Sequence, residues 1–187
     1  FGISGCAPDA DIYALRACEQ ISKTNPAGRC YTSSMARALD VALQSQVHIV
    51  NMSLGSQADD PLLSRLIDAG AQQGVIFVAP VGNNPAARSV YFPASHSRVI
   101  AVAGQNEDQS LFPNDTVAGL ADVYIASENI FAPIPGSDHN FMSGTSMSSA
   151  LVTGIIALKL EKSRAFTPSA LPEFTGDLRQ WVDLLLK

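Results

Sequence analysis

Short apolar runs alternate along this chain with longer segments of helical period. Asp11-Ile12-Tyr13-Ala14-Leu15 reads as a buried strand. Ser33 or Ser34 is placed to cap a helix reaching Gln44, with Met35, Leu39, Ala42 and Leu43 on one face. Val47-His48-Ile49-Val50-Asn51-Met52 follows as a second strand. Asp60 then caps a helix opened by Pro61, whose missing N–H has no partner in a first turn anyway. Leu62, Leu63, Leu66 and Ile67 form its apolar stripe, and Gly74 is its natural stop. Val75 to Ala79 and Val99 to Val102 are further strands, Gln105 to Asn140 is loop-rich, and a helix follows Ser146. A last amphipathic helix is expected from about Asp177 to Leu186. Strands this uniformly apolar, alternating with helices, predict an α/β fold with a mostly parallel sheet flanked by helices. In such sheets the loops at the carboxyl ends of strands carry function. Ser53-Leu54-Gly55 and Val81-Gly82-Asn83-Asn84 are two such loops.

Composition narrows the class. The 187 residues are 47% hydrophobic and 16% charged, the balance of one ordered domain rather than a disordered chain. A formal net charge of −5 with scattered acidic residues provides no basic patch, so no nucleic-acid partner is expected. No apolar run is long enough to cross a bilayer, since the richest, Leu151 to Leu158, ends at Lys159; no membrane partner is expected either. The N-terminus lacks a signal-peptide pattern and starts at Phe1, which suggests a processed or truncated product. Cys6, Cys18 and Cys30 show no CxxC pair and no metal-ligand spacing to His. Either Cys18 and Cys30 form a disulfide, stabilising by roughly 3 kcal/mol through loop closure, or all three are unpaired thiols in a packed interior. Both readings stand.

Ser143-Gly144-Thr145-Ser146-Met147-Ser148-Ser149-Ala150 precedes an apolar helical run that includes Val152, Ile155 and Ile156. A serine there sits among unpaired N–H groups at the positive end of a helix dipole, which suits a nucleophile whose attack creates an oxyanion. Small polar residues at a helix start also serve as plain caps. Asn83, after a strand end, is placed to aim its amide into the same crevice; its bland role is to fill a left-handed turn position.

Five segments, in order, resemble the subtilisin family of serine proteases. Gly5-Cys6-Ala7-Pro8 with Ile12-Tyr13-Ala14-Leu15-Arg16 resembles the family's G-x-A-P-x-A-x-L strand entry. Val50-Asn51-Met52-Ser53-Leu54-Gly55 resembles V-I-N-M-S-L-G, and Val81-Gly82-Asn83 resembles A-G-N. Phe92-Pro93-Ala94 with Val99-Ile100-Ala101-Val102 resembles Y-P-A…V-I-A-V, and Gly144-Thr145-Ser146-Met147 to Gly154 resembles G-T-S-M-A-x-P-x-V-x-G. The likeness spans roughly residues 1 to 160 and implies a three-layer subtilisin-like fold. It implies Ser146 as nucleophile, with the Asn83 side chain and the Ser146 N–H as oxyanion hole. Ser53, Leu54 and Gly55 on one side, and Gly28, Arg29 and Cys30 on the other, would pair their backbones with an extended peptide or protein substrate. The primary specificity pocket would form around Pro80, Val81, Gly82 and Tyr91, the bulk of Tyr91 suggesting a shallow one.

The resemblance also marks what is not here. A serine hydroxyl needs a base, and the base an orienting carboxylate. The family's D-[ST]-G aspartate and H-G-T-x-V histidine precede the segment matched by Phe1 onward, and neither motif occurs; Asp115-Thr116 lies in the wrong order. His48 in a buried strand, His96 after a turn and His139 before Ser146 read as structural or solvated. The expectation is a partial peptidase domain over 1–187, inactive alone, whose parent hydrolyses peptide bonds through an acyl-enzyme. The alternative is a non-catalytic subtilisin-like module that binds extended peptides or a partner. A missing strand and helix would expose apolar surface, calling for the N-terminal remainder of the domain or for self-association. The family's calcium loop falls across the start of the chain, so a structural calcium is implied only for a complete domain. Secretion or a periplasmic location is implied by the family alone.

A small-ligand module is disfavoured because no GxGxxG or GxxxxGK[ST] occurs. A nucleophile-elbow hydrolase is disfavoured because Gly144-Thr145-Ser146-Met147-Ser148 lacks the second glycine. Asp59-Asp60 reads as helix-cap residues rather than a catalytic pair.

Overall fold

A computed structural model describes residues 4–22, 25–134, 136 and 138–162. It opens with an antiparallel hairpin, β1 (Cys18–Ser22) and β2 (Asn25–Cys30). Cys18 opposes Cys30 in its register, and the two form a disulfide, while Cys6 is free and exposed. The disulfide settles the cysteine question for that pair.

Helix α1 (Thr32–Gln44) begins one step before the expected serines. Tyr31 is its extended N-cap and makes no side-chain cap bond, so neither Ser33 nor Ser34 caps it. Met35, Leu39 and Ala42 are buried, as their spacing required. The parallel strand β3 (Ile49–Asn51) leads to helix α2 (Pro61–Gln72). Here the Asp60 carboxylate accepts from the Leu62 and Leu63 N–H groups at 3.0 and 3.1 Å. Its other oxygen accepts from the Thr32 hydroxyl at 2.5 Å, so one side chain ties together the starts of both helices. Those bonds, that from Thr32 foremost, hold the Asp60 carboxyl below its usual range.

Strands β4 (Ile76–Pro80) and β5 (Val99–Gln105) continue the parallel sheet. The stretch that reads as loop contains β6 (Leu111–Phe112), α3 (Asp115–Ala118), β7 (Val123–Ala126) and the hairpin β8 (Ile130–Ile134) and β9 (Asp138–Met142). β7 pairs parallel with β5, and β6 pairs antiparallel with the end of β5. These elements are too short to show a period, and backbone pairing makes them strands. Helix α4 (Thr145–Lys162) ends the described chain. The helix expected near Asp177–Leu186 lies outside the described residues.

Alternation along the strands divides the core. Phe77, Ala79, Ala101 and Ala103 face α1 and α2, packing with Leu39, Leu63 and Ile67. Ile76, Val78, Ile100 and Val102 face α4, packing with Val152, Ile155 and Ile156. The result is a mostly parallel sheet between two helical layers, which requires apolar residues on both strand faces.

One expected strand is missing. Residues 11–15 form no strand and are exposed, Ile12 by 87%. An apolar run becomes a strand only when a neighbour satisfies its N–H and C=O groups, and β3, at the sheet edge, pairs with β4 alone among the described strands. A groove of about 1390 Å³ runs along that open edge, walled by Met35 and Leu39 of α1, Gly154 and Leu160 of α4, and residues 11–15.

Candidate active site

Ser146 is the second residue of α4, where first-turn N–H groups have no helical partners. The turn into the helix passes through Gly144 at φ +136°, a conformation that favours glycine. The Gly144 N–H donates to the Ser127 carbonyl at 2.7 Å, fastening this turn to the chain just beyond β7. Buried Ser148 donates to the Ala126 carbonyl at 3.0 Å and holds the same helix end against β7.

Asn83 lies beyond the end of β4. Its Oδ1 accepts from the Thr145 N–H at 2.9 Å and from the Thr145 hydroxyl at 2.8 Å. A backbone N–H can only donate, so the oxygen must face Thr145 and the amide NH₂ must point the other way. Asn83 and Ser146 line one cleft of about 350 Å³, with Leu54, Gly55, Pro80, Gly82, Asn84 and Tyr91 as its other walls beside Thr145. Ser146 and Asn83 therefore border the same cleft.

Ser53 lies against Ser146. The Ser146 hydroxyl is 3.5 Å from the Ser53 carbonyl oxygen, and the Ser53 hydroxyl donates to the Ser146 carbonyl at 3.1 Å. The Asn51 amide donates to the Ser53 hydroxyl at 2.9 Å, and Ser149 Oγ lies 3.0 Å from it. Ser149 also donates to the Ser146 carbonyl at 3.0 Å.

Other expected site residues lie elsewhere. Val81 is fully buried in the core, where its N–H donates to Val102 and its carbonyl accepts from Tyr91. Gly28, Arg29 and Cys30 are exposed on β2 and are not among the cleft-lining residues. Thr145, Ser149 and Asn51 were not singled out by sequence reasoning. Thr145 and Ser149 lie within the serine motif, and that adjacency was the only signal available. Asn51 looked like the end of a strand.

No histidine serves Ser146 among the described residues. His48 is exposed just before β3, contrary to its expected place inside a buried strand. His96 accepts from the Arg98 N–H at 3.2 Å and lies 3.7 Å from the Asp68 carboxylate. His139 stacks on Phe131 with ring centroids 5.6 Å apart. Among the described residues no three His, Cys, Asp or Glu side chains gather to hold a metal ion, so no calcium ligand is assigned. No described helix is long and apolar enough to cross a membrane.

The model of the subtilase family matches residues 1–182. The chain belongs to the subtilase family. It is 31% identical over 173 residues to the minor extracellular protease Epr of Bacillus subtilis (strain 168), covering 92% of this chain and 26% of that protein. It is 32% identical over 168 residues to subtilisin BL of Lederbergia lenta, covering 89% of this chain and 59% of that protein. The chain thus spans between about a quarter and three fifths of these relatives. Among solved structures it is similar to the self-cleaved protease domain of PatA, with a TM-score of 0.68 and 24% identity over 84% of this chain and 69% of that one. Sphericase gives a TM-score of 0.68 at 22% identity, covering 87% of this chain and 58% of its own. These two likenesses bear out the α/β subtilisin-like fold.

Proposed function

We propose that this subtilase chain carries the nucleophile half of a serine endopeptidase that cleaves peptide bonds through an acyl-enzyme. The observation that carries the reading is Asn83, which borders one cleft with Ser146 while its Oδ1 is taken by Thr145, so that its NH₂ remains as the donor of the amide. In this reaction the Ser146 Oγ attacks the scissile carbonyl carbon, and the carbonyl oxygen takes up negative charge. The Asn83 NH₂ and the Ser146 N–H stabilise that oxygen, and collapse of the intermediate expels the amine. Preformed donors aimed at such charge lower the barrier without reorganising during the reaction. Ser53-Leu54-Gly55 pairs with the extended substrate by strand addition, with Gly28-Arg29-Cys30 of β2, outside the cleft around Ser146, as a second pairing segment.

The proton of Ser146 needs an acceptor; a histidine–aspartate pair takes it, passes it to the departing amine, and then takes a proton from the water that frees the acyl group and returns Ser146 to its starting state. The groove along the open edge of β3 supports a polypeptide seated there that brings both residues, because it ends at Met52, Ser53 and Leu54 beside the nucleophile. That polypeptide is the remainder of the same domain, and self-association over the same edge is the competing occupant. Secretion or a periplasmic location fits the Cys18–Cys30 disulfide, since such bonds persist in oxidising compartments.

A second reading rests on the absence of a histidine partner for Ser146 among the described residues: a non-catalytic module that binds extended peptides. The two part on one experiment with the complete protein. Ser146→Ala is expected to abolish turnover of a peptide substrate while peptide binding persists. Proteolysis near the unmutated rate in that variant ends the endopeptidase reading, and peptide binding with no turnover in the unmutated protein selects the binding module.

A further inference from the structure

Tyr91 closes the back of the cleft beside Ser146, and we propose that its ring restricts the site to peptides whose side chain before the scissile bond is alanine-sized. The proposal deepens the endopeptidase reading for the bond that is cut, but the side-chain preference is a property of cleft shape alone.

The segment carrying Tyr91 is pinned between the two cleft walls. Its N–H donates to the Val81 carbonyl at 3.1 Å, and Phe92 exchanges two bonds of 2.8 Å with Ser56. A Cβ built on Gly55 would lie 3.2 Å from the Tyr91 Cβ and 3.3 Å from its Cδ2. A Cβ built on Gly82 would lie 3.1 Å from the ring Cγ and Cδ2. A side chain at either glycine would therefore run into the tyrosine, and the ring occupies the space that a deep pocket between them would need.

The ring is also held in place. Its hydroxyl oxygen accepts from Gln57 Nε2 at 3.1 Å and from Asn84 Nδ2 at 3.4 Å, so swinging it aside breaks two bonds. The same two donors, Gln57 first, hold the phenol below its usual range. The cleft of about 350 Å³ is near the lower end of the roughly 300–1,000 Å³ typical of ligand sites. It must also admit the peptide backbone and the reacting carbonyl. A methyl group is therefore expected to fit in front of Tyr91, and a phenyl group to enter only by displacing it. Each methylene gained or lost in an apolar pocket changes recognition by about 10–200-fold, so the contrast between alanine and phenylalanine is at least about 10-fold.

Binding tests this without relying on catalysis. Fluorescent N-acylated tetrapeptides ending in alanine or phenylalanine carboxylate are titrated against the unmutated protein, Tyr91→Phe and Tyr91→Ala. The alanine peptide is expected to bind at least about 10-fold tighter to the unmutated protein and to Tyr91→Phe, which keeps the ring. Tyr91→Ala is expected to reverse the order. Equal or tighter binding of the phenylalanine peptide to the unmutated protein overturns the proposal, and so does an unchanged ratio in folded Tyr91→Ala. Should that variant fail to fold, the ratios in the other two proteins still decide. Absence of measurable binding by either peptide also overturns it. Failure of the peptidase reading shows separately, as peptide binding without turnover.

Discussion

Replacing Asn83 by aspartate separates the donor from the scaffold in one atom. The carboxylate keeps an oxygen where Oδ1 now accepts from the Thr145 N–H and hydroxyl at 2.9 and 2.8 Å. Only the outward NH₂ is lost, and an oxygen carrying negative charge takes its place. Alanine at the same site would remove the acceptor too and orphan the N–H of fully buried Thr145, a cost of about 1–3 kcal/mol in stability. The two variants should therefore diverge. Asn83→Asp is expected to melt near the unmutated protein yet lose at least about 10²–10³ in kcat, or about 2.7–4 kcal/mol of barrier, the size known for removing this donor from a subtilisin. Its KM should change little, since the donor acts on charge that develops only in the transition state. Turnover of a chromogenic peptide anilide by the complete protein, beside thermal unfolding of both variants, measures each quantity. An Asn83→Asp enzyme within threefold of the unmutated kcat would refute the oxyanion role. Equal destabilisation by aspartate and alanine would refute the scaffold half of the reasoning.

Two further outcomes follow from the fold. Asp60→Ala should cost about 1 kcal/mol of stability near neutral pH, as loss of an N-cap does. Because the folded carboxyl is held below the ordinary aspartate value, that contribution is present above that ordinary value and lost as the pH falls through the folded one. The gap in denaturant midpoint between the unmutated and variant proteins should accordingly narrow in acid, and a gap that widens there would exclude the capping account. Reducing the Cys18–Cys30 bond, which spans a sequence separation of 12, should cost about 3 kcal/mol by loop-closure entropy. That corresponds to about 6–12 °C in melting temperature for a domain of this size; identical melts with and without reductant would contradict it.

The helix over Pro61–Gln72 could be read from residues alone, because a cap, a proline and an apolar stripe act within one turn of each other. The same is true of β4 and β5, which are apolar on both faces and therefore had to be covered on both. Serine 146 at a helix start was equally local. Residues 11–15 were misread for a physical reason: their apolar character is local, but their pairing is not. The short strands between Gln105 and Met142 escaped for the converse reason, since pairing creates them without any period in the residues. At the site, chain order placed Asn83 beyond a strand and Ser146 at a helix start and said nothing of Thr145 between them. Which way the Asn83 amide points depends on an N–H 62 residues away. That Tyr91 fills the space beside Gly55 and Gly82 depends on three loops meeting. Local chemistry determined which elements form and which side chains could react. Tertiary packing alone decided which of those groups face one another, because hydrogen bonds and van der Waals contacts act across space rather than along the chain.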